Sequence, residues 1–503
     1  MNMMKKLLDF LFHRRAPWFE RYFVWLLVGG AVVAMALSLA IGLQQSVWFD
    51  EAYSIMLAKR PVGDLLYLTS IDTHPPLYYL LLKGWAGLFG WGEFALRSLS
   101  VLAMGGAVVL AGLFTKRFFG IRAALMTLPF LVLAPFLLRY GFEVRMYALA
   151  SLIGVAATYV LAIATGTNNK KTSWKLYLLY AVLVALGVYT LYYTALLWLV
   201  HVIWLIWLAR HRKQSVVGQP WWLAYLGSVV LFLPWLPTFA AQLGNGALAP
   251  IAQQMTIENL AGVVSFLFVY QPAWQLNALA SLVIVGVIAA IICLVSKAYY
   301  GVTAKQKTYF VLVLFYALLP ILLIALICLA KPMYVERYLA HVIVGIVLMI
   351  GISVWAVSQK RPRLAYSLGG FLIAVMLLGI GQLAMAGNYN FQRLQVPQVA
   401  QAAQQLNCND YIMAADPYVA IELAFYLPNC GIHFYSDTAN LRGGYAPLAN
   451  STMRVDDTEK ELVGKQNVKL VYYDEQKLTL PQGSEQTAES AFGPLHVASY
   501  RTP

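Results

Sequence analysis

Two short segments near the start of the chain combine carboxylates with a histidine in a pattern that could activate a hydroxyl group. Asp50 and Glu51 are adjacent, and Asp72 and His74 follow in the same polar segment. Adjacent carboxylates beside a nonpolar region repel each other and lose hydration, so one of them can keep a raised pKa and act as a general base. A solvated loop with an N-capping aspartate is the alternative interpretation.

A second cluster, formed by Glu143, Arg145 and Tyr147, stands directly before an apolar run. A carboxylate and a guanidinium at this position could orient a polar substrate. They could equally pair with each other, or extend to the interface of a membrane.

The third cluster holds Lys331, Glu336, Arg337 and Tyr338 in a segment between two apolar runs. Arginine suits the bidentate recognition of phosphate. An aromatic belt with an interfacial ion pair is the alternative interpretation.

The composition shows what kind of protein must position these clusters. The chain has 503 residues, of which 60% are hydrophobic and 12% charged. The charged share is about half the ~25% of soluble domains. The net charge of +14 does not indicate nucleic-acid binding, because long apolar runs such as 22–43, 309–330 and 341–357 separate the charges. Each of these runs is close to the ~20 residues needed to cross a bilayer, so we predict a multi-pass membrane protein.

Six segments rich in lysine and arginine predict the orientation of the chain, because these residues are retained on the cytoplasmic side of short loops. They contain 20 of the 36 basic residues and predict a cytoplasmic N-terminus. The segments are Lys5, Lys6, Arg14, Arg15 and Arg21; Lys116, Arg117 and Arg122; Lys170, Lys171 and Lys175; Arg210, Arg212 and Lys213; Lys297, Lys305 and Lys307; Lys360, Arg361 and Arg363.

The predicted fold class is an all-α polytopic membrane protein with eleven spans and a small C-terminal extracytoplasmic α/β domain. The first run is too long for a signal peptide and is interpreted as an uncleaved span. Leu77–Phe89, with only 13 residues, is predicted to lie at the interface or to re-enter, and 257–270 to form another outer-face helix. The spans are predicted near 22–45, 94–115, 121–138, 146–164, 175–191, 194–209, 221–238, 275–296, 309–330, 339–357 and 364–386.

The sequence divides into a membrane domain over residues 1–388, with an outer loop at 46–93, and a tail over 389–503. The tail alternates β-rich and helical patterns, which predicts a small α/β domain. Cys408 and Cys430 could form a disulfide if the tail is extracytoplasmic. The predicted strands are Tyr411–Ala414, Ile432–Tyr435 and Val468–Tyr473, and the predicted helices are 397–406 and 418–427.

The acidic residues of the membrane domain are placed unevenly. Eight of its ten acids fall on the predicted outer face, and membrane insertion does not demand this bias. Together with the three clusters, the bias predicts an outer-face site for an anionic substrate carried in the membrane.

The motifs resemble the GT-C superfamily of polytopic glycosyltransferases, in the bacterial branch related to protein O-mannosyltransferases and the lipid A aminoarabinose transferase. The resemblance covers residues 20–390 and does not extend clearly over the tail. It depends on the order and spacing of Asp50-Glu51, His74-Pro75-Pro76-Leu77-Tyr78-Tyr79, Glu93-Phe94-Ala95-Leu96-Arg97, Glu143-Val144-Arg145-Met146-Tyr147, Leu233-Pro234-Trp235-Leu236-Pro237 and Glu336-Arg337-Tyr338-Leu339.

The resemblance implies an inverting hexosyl- or pentosyltransferase of the bacterial inner membrane. It would move a sugar from a polyprenyl-phosphate donor to a lipid, glycan or protein acceptor on the extracytoplasmic face. Asp50 matches the catalytic aspartate of the family. The expected supporting or acceptor-binding residues are Glu51, Asp72, Glu143 and Tyr147, and the expected lipid-phosphate ligands are His74, Arg97, Arg145, Lys331, Arg337 and Tyr338.

Several alternatives stay open from the sequence. No cofactor is predicted with certainty; a divalent metal would use Asp72 and His74, which is a thin ligand set. A transporter or lipid-sugar flippase is the competing function, but the predicted spans carry few charges and no repeat is visible. The tail could bind the acceptor or only cover the site. Membrane lipids, but no nucleic acid, are the other expected partners.

Overall fold

The computed structural model describes residues 17–166, 170–244, 253–271, 275–386, 399–441, 443–449, 451–474, 476 and 478–503. The basic residues Lys5, Lys6, Arg14 and Arg15 lie outside the described residues, and so does the predicted domain boundary at 388.

Long apolar helices make up most of the membrane domain. Within the described residues, ten helical segments are long and apolar enough to cross a bilayer. A further pair, bent by 59°, brings the number to eleven if it forms one span, so the predicted membrane architecture is confirmed. The helices of these segments are α1 (Pro17–Gly42), α5 (Glu93–Phe119), α6 (Ile121–Leu133), α7 (Pro135–Phe142), α8 (Tyr147–Gly166), α9 (Lys170–Thr190), α10 (Thr194–His211), α11 (Pro220–Phe232), α12 (Leu236–Gly244), α14 (Ala278–Gly301), α15 (Ala304–Cys328), α16 (Ala340–Ser358) and α17 (Pro362–Ala386).

Proline marks the breaks in two of these segments. The bend between α6 and α7 falls where Pro135 begins the second helix. A 3₁₀ turn at Leu233–Trp235, with a proline inside, joins α11 to α12. Proline lacks the amide hydrogen that an uninterrupted helix requires, so it is tolerated in the first turn of a helix and disrupts a helix interior.

Several basic loops lie at one end of the bundle. The Lys360 ammonium donates to the carbonyl of Tyr300 at 3.3 Å. The Gln306 amide donates to the carbonyl of Phe119 at 3.4 Å, beside the basic end of α5. Arg212 donates to the carbonyl of Thr165 at 2.9 Å. The segments between the other helix ends carry the acidic clusters, so the helices separate a basic end from an acidic end.

Three short helices follow α1 at the acidic end: α2 (Phe49–Lys59), α3 (Val62–Ser70) and α4 (Leu77–Phe89). Helix α4 has the predicted bounds and is too short to count among the candidate spans. The other predicted short helix is α13 (Ile257–Phe268).

The described part of the tail forms a six-stranded sheet in the order β3-β2-β1-β4-β6-β5. Strands β1 to β4 are parallel neighbours, whereas β4, β6 and β5 pair antiparallel. The elements are α18 (Val399–Ala403), β1 (Tyr411–Ala414), α19 (Pro417–Tyr426), β2 (Ile432–Tyr435), β3 (Arg454–Val455), α20 (Thr458–Leu462), β4 (Val468–Tyr473), β5 (Glu485–Phe492) and β6 (Leu495–Arg501).

All three predicted strands and the helix near 418–427 occur within one residue of their expected bounds. A disulfide joins Cys408 to Cys430. The β5–β6 hairpin was not predicted. Strand β5 is exposed along almost its whole length and therefore lacks the alternation of apolar and polar residues that marks a half-buried strand.

Candidate active site

Asp50 lies in the first turn of α2, on the acidic side of the bundle. The helix begins because Trp48 is extended and its carbonyl accepts the first helical hydrogen bond, from the Ala52 amide, at 2.9 Å. Asp50 is only 9% exposed. A carboxylate in the first turn also interacts favourably with the helix dipole.

Two guanidinium groups reach Asp50 from separate loops. Its Oδ2 lies 3.3 Å from Nη2 of Arg337 and 3.9 Å from Nε of Arg145. Among the described residues, this Oδ2 and the Nε of each arginine have no hydrogen-bond partner, although all three atoms are buried. Buried donors are nearly always satisfied in folded proteins. The site therefore holds one carboxylate with two cations that can still bind an anion.

Arg145 is oriented by hydroxyl groups of the outer helices. Its Nη1 donates to Tyr79 at 3.1 Å and to Ser54 at 3.3 Å. Its guanidinium also lies 5.8 Å from the ring centre of Tyr53. Arg337 lies over the indole of Trp48 at 5.7 Å. Aromatic faces hold cations without neutralising them.

Glu51 and Arg97 form a second, fully buried ion pair. Arg97 donates from Nη2 to Oε2 at 3.0 Å and from Nε to Oε1 at 3.2 Å, which is a bidentate arrangement. Its Nη1 donates to the carbonyls of Gly42 and Gln45. Oε1 of Glu51 also accepts the amide of Val144 at 3.1 Å. These contacts tie the end of α1, the start of α2 and α5 together. The phosphate contact predicted for Arg97 stays a prediction.

The sequence left open an ion pair between Glu143 and Arg145. In the structure, Glu143 pairs instead with Arg139 at 3.0 Å. A tight turn, in which the Arg145 amide donates to the carbonyl of Glu143 at 2.6 Å, separates their side chains. Both Glu143 and Arg139 are buried. Burial raises the pKa of Glu143 to about 7, against the opposing effect of the Arg139 charge.

Asp72 and His74 lie in the same buried region. Asp72 accepts a hydrogen bond from Tyr53 at 2.5 Å, and burial raises its pKa. Nε2 of His74 lies 3.4 Å from the hydroxyl of Tyr338. Burial, followed by the charges of Arg145 and Arg337, lowers the pKa of His74 well below its ordinary value, so this imidazole is neutral at pH 7.

The described residues do not fit a metal centre. No group of three or more His, Cys, Asp or Glu side chains among them could hold a metal ion. Asp72 is engaged by Tyr53 and His74 faces Tyr338, so we derive no step that uses a metal.

A mostly apolar cavity of about 140 Å³ adjoins this region. Thr73, His74 and Tyr338 line one side of it, and side chains such as Leu196 and Ile327 line the rest. The Tyr147 ring stacks with that of Tyr338 at 6.4 Å, on the side of Arg337. Lys331 is exposed, and no contact with the cluster is found for it in the described residues. The structure thus brings together every predicted site residue except Lys331.

Sequence reasoning missed the residues that orient the charged groups. Arg139 lies in an apolar helix, and only its spacing of four residues from Glu143 could have indicated the pair. Tyr53 stands three residues after Asp50 and so lies near it on α2. Glu422, in the tail, has no signal in the sequence; it contacts the start of α2.

The helix bundle, the outer helices and the appended sheet together form a fold that solved membrane proteins share, and this agrees with the fold that the resemblance of the motifs implied. Residues 73–237 match the family model described as dolichyl-phosphate-mannose-protein mannosyltransferase. The matched segment contains His74, Arg97, Glu143 and Arg145. Comparison with curated protein sequences finds no match.

Solved structures agree over nearly the whole chain. ArnT from Cupriavidus metallidurans in the apo state has a TM-score of 0.61 at 14% identity, covering 96% of this chain and 98% of that one. The same protein bound to undecaprenyl phosphate gives 0.59 at 13%, covering 95% and 98%. The archaeal oligosaccharyltransferase AglB from Archaeoglobus fulgidus, in complex with an inhibitory peptide and a dolichol-phosphate, gives 0.52 at 13%, covering 91% and 70%. At these identities the likeness establishes the fold.

Proposed function

We propose that this protein is an inverting glycosyltransferase that moves a sugar from a polyprenyl-phosphate donor to a hydroxyl acceptor on the extracytoplasmic face of the inner membrane. One observation carries the proposal: the buried Asp50 lies between Arg337 and Arg145, and both arginines keep a buried donor without a partner. A carboxylate beside two such cations can accept a proton while the cations hold a phosphate.

In the proposed reaction the acceptor oxygen attacks the anomeric carbon as its proton passes to Asp50. The bond between that carbon and the phosphate oxygen breaks, and its electron pair leaves with the polyprenyl phosphate. A single displacement inverts the anomeric configuration. Because the leaving phosphate gains negative charge, Arg145 and Arg337 stabilise it without donating a proton.

The surroundings of the site support a donor with a lipid chain. The mostly apolar cavity beside His74 and Tyr338 gives an apolar chain a place next to the two arginines. Neutral His74 can donate or accept a hydrogen bond at its mouth without adding charge. The relative that was crystallised with undecaprenyl phosphate has the same fold and supports a donor of this class.

The proposed orientation places the N-terminus in the cytoplasm and the site and tail outside. It rests on the separation of basic and acidic helix ends and on the retention of lysine and arginine in cytoplasmic loops. The Cys408–Cys430 disulfide agrees with an oxidising compartment for the tail.

A flippase is the less favoured function. Transporters place ionisable residues near the middle of the bilayer. In the described membrane helices, Asp, Glu, Lys and Arg lie near the helix ends, which favours surface chemistry over translocation.

The direct test uses the purified full-length chain in proteoliposomes with undecaprenyl-phosphate-linked hexose, pentose and amino-sugar donors and a bacterial envelope extract as acceptor. We expect one donor to release undecaprenyl phosphate and to yield a glycoside of inverted configuration, detected by mass spectrometry and NMR. If the donor crosses the bilayer but no donor in the panel is consumed, the flippase is correct and the proposal is wrong.

A further inference from the structure

The helix that carries Asp50 begins without a usual N-cap. Its N-cap residue is Trp48, whose indole has no hydrogen-bond acceptor. The preferred N-cap residues provide a side-chain oxygen for the free amides of the first turn. The Phe49 amide, immediately before Asp50, is one of these free donors.

Glu422 of the tail, 373 residues away in the sequence, provides an acceptor for the Phe49 amide, whereas Glu51 of the helix itself accepts the Trp48 amide at 3.5 Å. Oε1 of Glu422 accepts the Phe49 amide at 3.2 Å, and its Oε2 accepts the hydroxyl of Tyr473 at 2.8 Å. Glu422 is fully buried, so the carboxylate is held between the sheet and α2. A negative charge at this end of a helix is also stabilised by the helix dipole.

Neighbouring contacts fix the same stretch of backbone. The Phe49 ring stacks on Tyr418 with ring centres 4.4 Å apart and meets the edge of Tyr445 at 5.6 Å. The Val47 amide donates to the hydroxyl of Tyr426 at 2.6 Å. Both residues that flank Trp48 are therefore bound by the tail.

The position of this backbone matters for chemistry because Asp50 follows directly. Oδ2 of Asp50 is 3.3 Å from Arg337 and accepts no hydrogen bond among the described residues. Its place is therefore set by the backbone of the first turn of α2 and by two ion pairs. A shift of about 1 Å in a reacting group can lower the rate roughly 100-fold.

We infer that Glu422 is a positioning residue for Asp50: the tail caps α2 through this carboxylate and so holds the catalytic turn in place. The inference rests on the proposed function of Asp50. It assigns the tail a part in transfer that is distinct from acceptor binding and from covering the site.

Amide hydrogen exchange of the full-length protein tests the contact without any need for activity. In Glu422→Ala we expect the Phe49 amide, followed in a peptide covering 45–53, to exchange about 5- to 30-fold faster, because this factor corresponds to the loss of one or two kcal/mol. Glu422→Gln keeps an oxygen acceptor and should stay near the wild type. Glu461→Ala is the control, because Glu461 is a tail carboxylate that bonds Tyr411 and Lys465 instead. Unchanged exchange in Glu422→Ala overturns the inference.

Kinetics test the consequence for transfer. We expect Glu422→Ala to lower kcat roughly 10- to 100-fold while the Kd for undecaprenyl phosphate stays within about twofold, and Glu422→Gln to restore most of the rate. A parallel fall of affinity and rate, or no rescue by glutamine, overturns the inference. If Glu422→Ala does not fold, Tyr473→Phe removes the donor to Oε2 and should accelerate exchange at Phe49 by a smaller factor; no acceleration then overturns it.

Asp50→Asn distinguishes a failure of the proposed function from a failure of the proposed role of Glu422. If it abolishes transfer while Glu422→Ala keeps wild-type turnover, the positioning inference is wrong and the proposed function stands. If Asp50→Asn retains transfer, the proposed role of Asp50 is wrong, and the inference falls with it.

Discussion

Replacing Asp50 by asparagine should strengthen the binding of the lipid phosphate even though it removes the proposed base. In the wild type, the Asp50 carboxylate lies 3.3 Å from Arg337 and 3.9 Å from Arg145. A phosphate bound by the same two cations competes with this carboxylate and is repelled by it. Asparagine has a similar shape but no charge, so it leaves both cations to the phosphate.

The size of the effect follows from the geometry. A phosphate on the far side of the two guanidiniums lies about 6 Å from the carboxylate, and at an effective dielectric constant of about 20 the repulsion is about 3 kcal/mol. A free energy of 1.4 kcal/mol changes an affinity tenfold, so we expect the Kd to fall about 10- to 100-fold. Asp50 is only 9% exposed, so added salt should screen the effect weakly.

Titration of the protein in nanodiscs with undecaprenyl phosphate, followed by native mass spectrometry, measures this Kd. Asp64→Asn is the matched control, because Asp64 is an exposed acid of α3 on the same side of the bundle, and its loss should change the Kd less than about twofold. Weaker or equal binding in Asp50→Asn would refute the placement of the phosphate on Arg337 and Arg145.

Three further predictions concern the groups around Asp50. Arg337→Gln should weaken undecaprenyl phosphate binding about 10- to 100-fold, because charged hydrogen bonds contribute about 1.5–3 kcal/mol; an unchanged Kd in the same titration would contradict this. Arg97→Leu should lower the free energy of unfolding by about 3–5 kcal/mol, since it leaves Glu51 buried and unpaired. Thermal unfolding in detergent measures this loss, and the double variant Arg97→Leu/Glu51→Leu should recover part of it. Burial keeps His74 neutral in the folded protein while the unfolded chain takes up a proton below about pH 6.5. Stability should therefore fall between pH 7 and 5.5 by about 1.3 kcal/mol more in the wild type than in His74→Gln, and equal pH profiles would contradict the lowered pKa of His74.

The membrane architecture could be predicted because hydrocarbon imposes a simple rule on sequence. A span needs an apolar run of about 20 residues, which distinguished α5 from the shorter α4. The positions of lysine and arginine then predicted which helix ends share one side of the bundle. The three clusters were also found, since charged residues stand out against an apolar chain.

The pairing of the charges could not be predicted, because it depends on side-chain direction. Asp50 and Glu51 are neighbours, but adjacent residues of a helix point about 100° apart. Asp50 therefore meets Arg337, while Glu51 meets Arg97. The contact of Glu422 with α2 depends on how the tail docks, which no local pattern encodes.

The central claim is that Asp50 is the base in transfer of a sugar from a polyprenyl phosphate. Its most direct test is the single-turnover rate of Asp50→Asn with the undecaprenyl-phosphate donor that the wild type uses, at concentrations that saturate both proteins. We predict that the variant binds the donor and that its transfer rate falls about 10²- to 10⁴-fold, the usual contribution of a general base. A wild-type rate with the donor bound would contradict the claim.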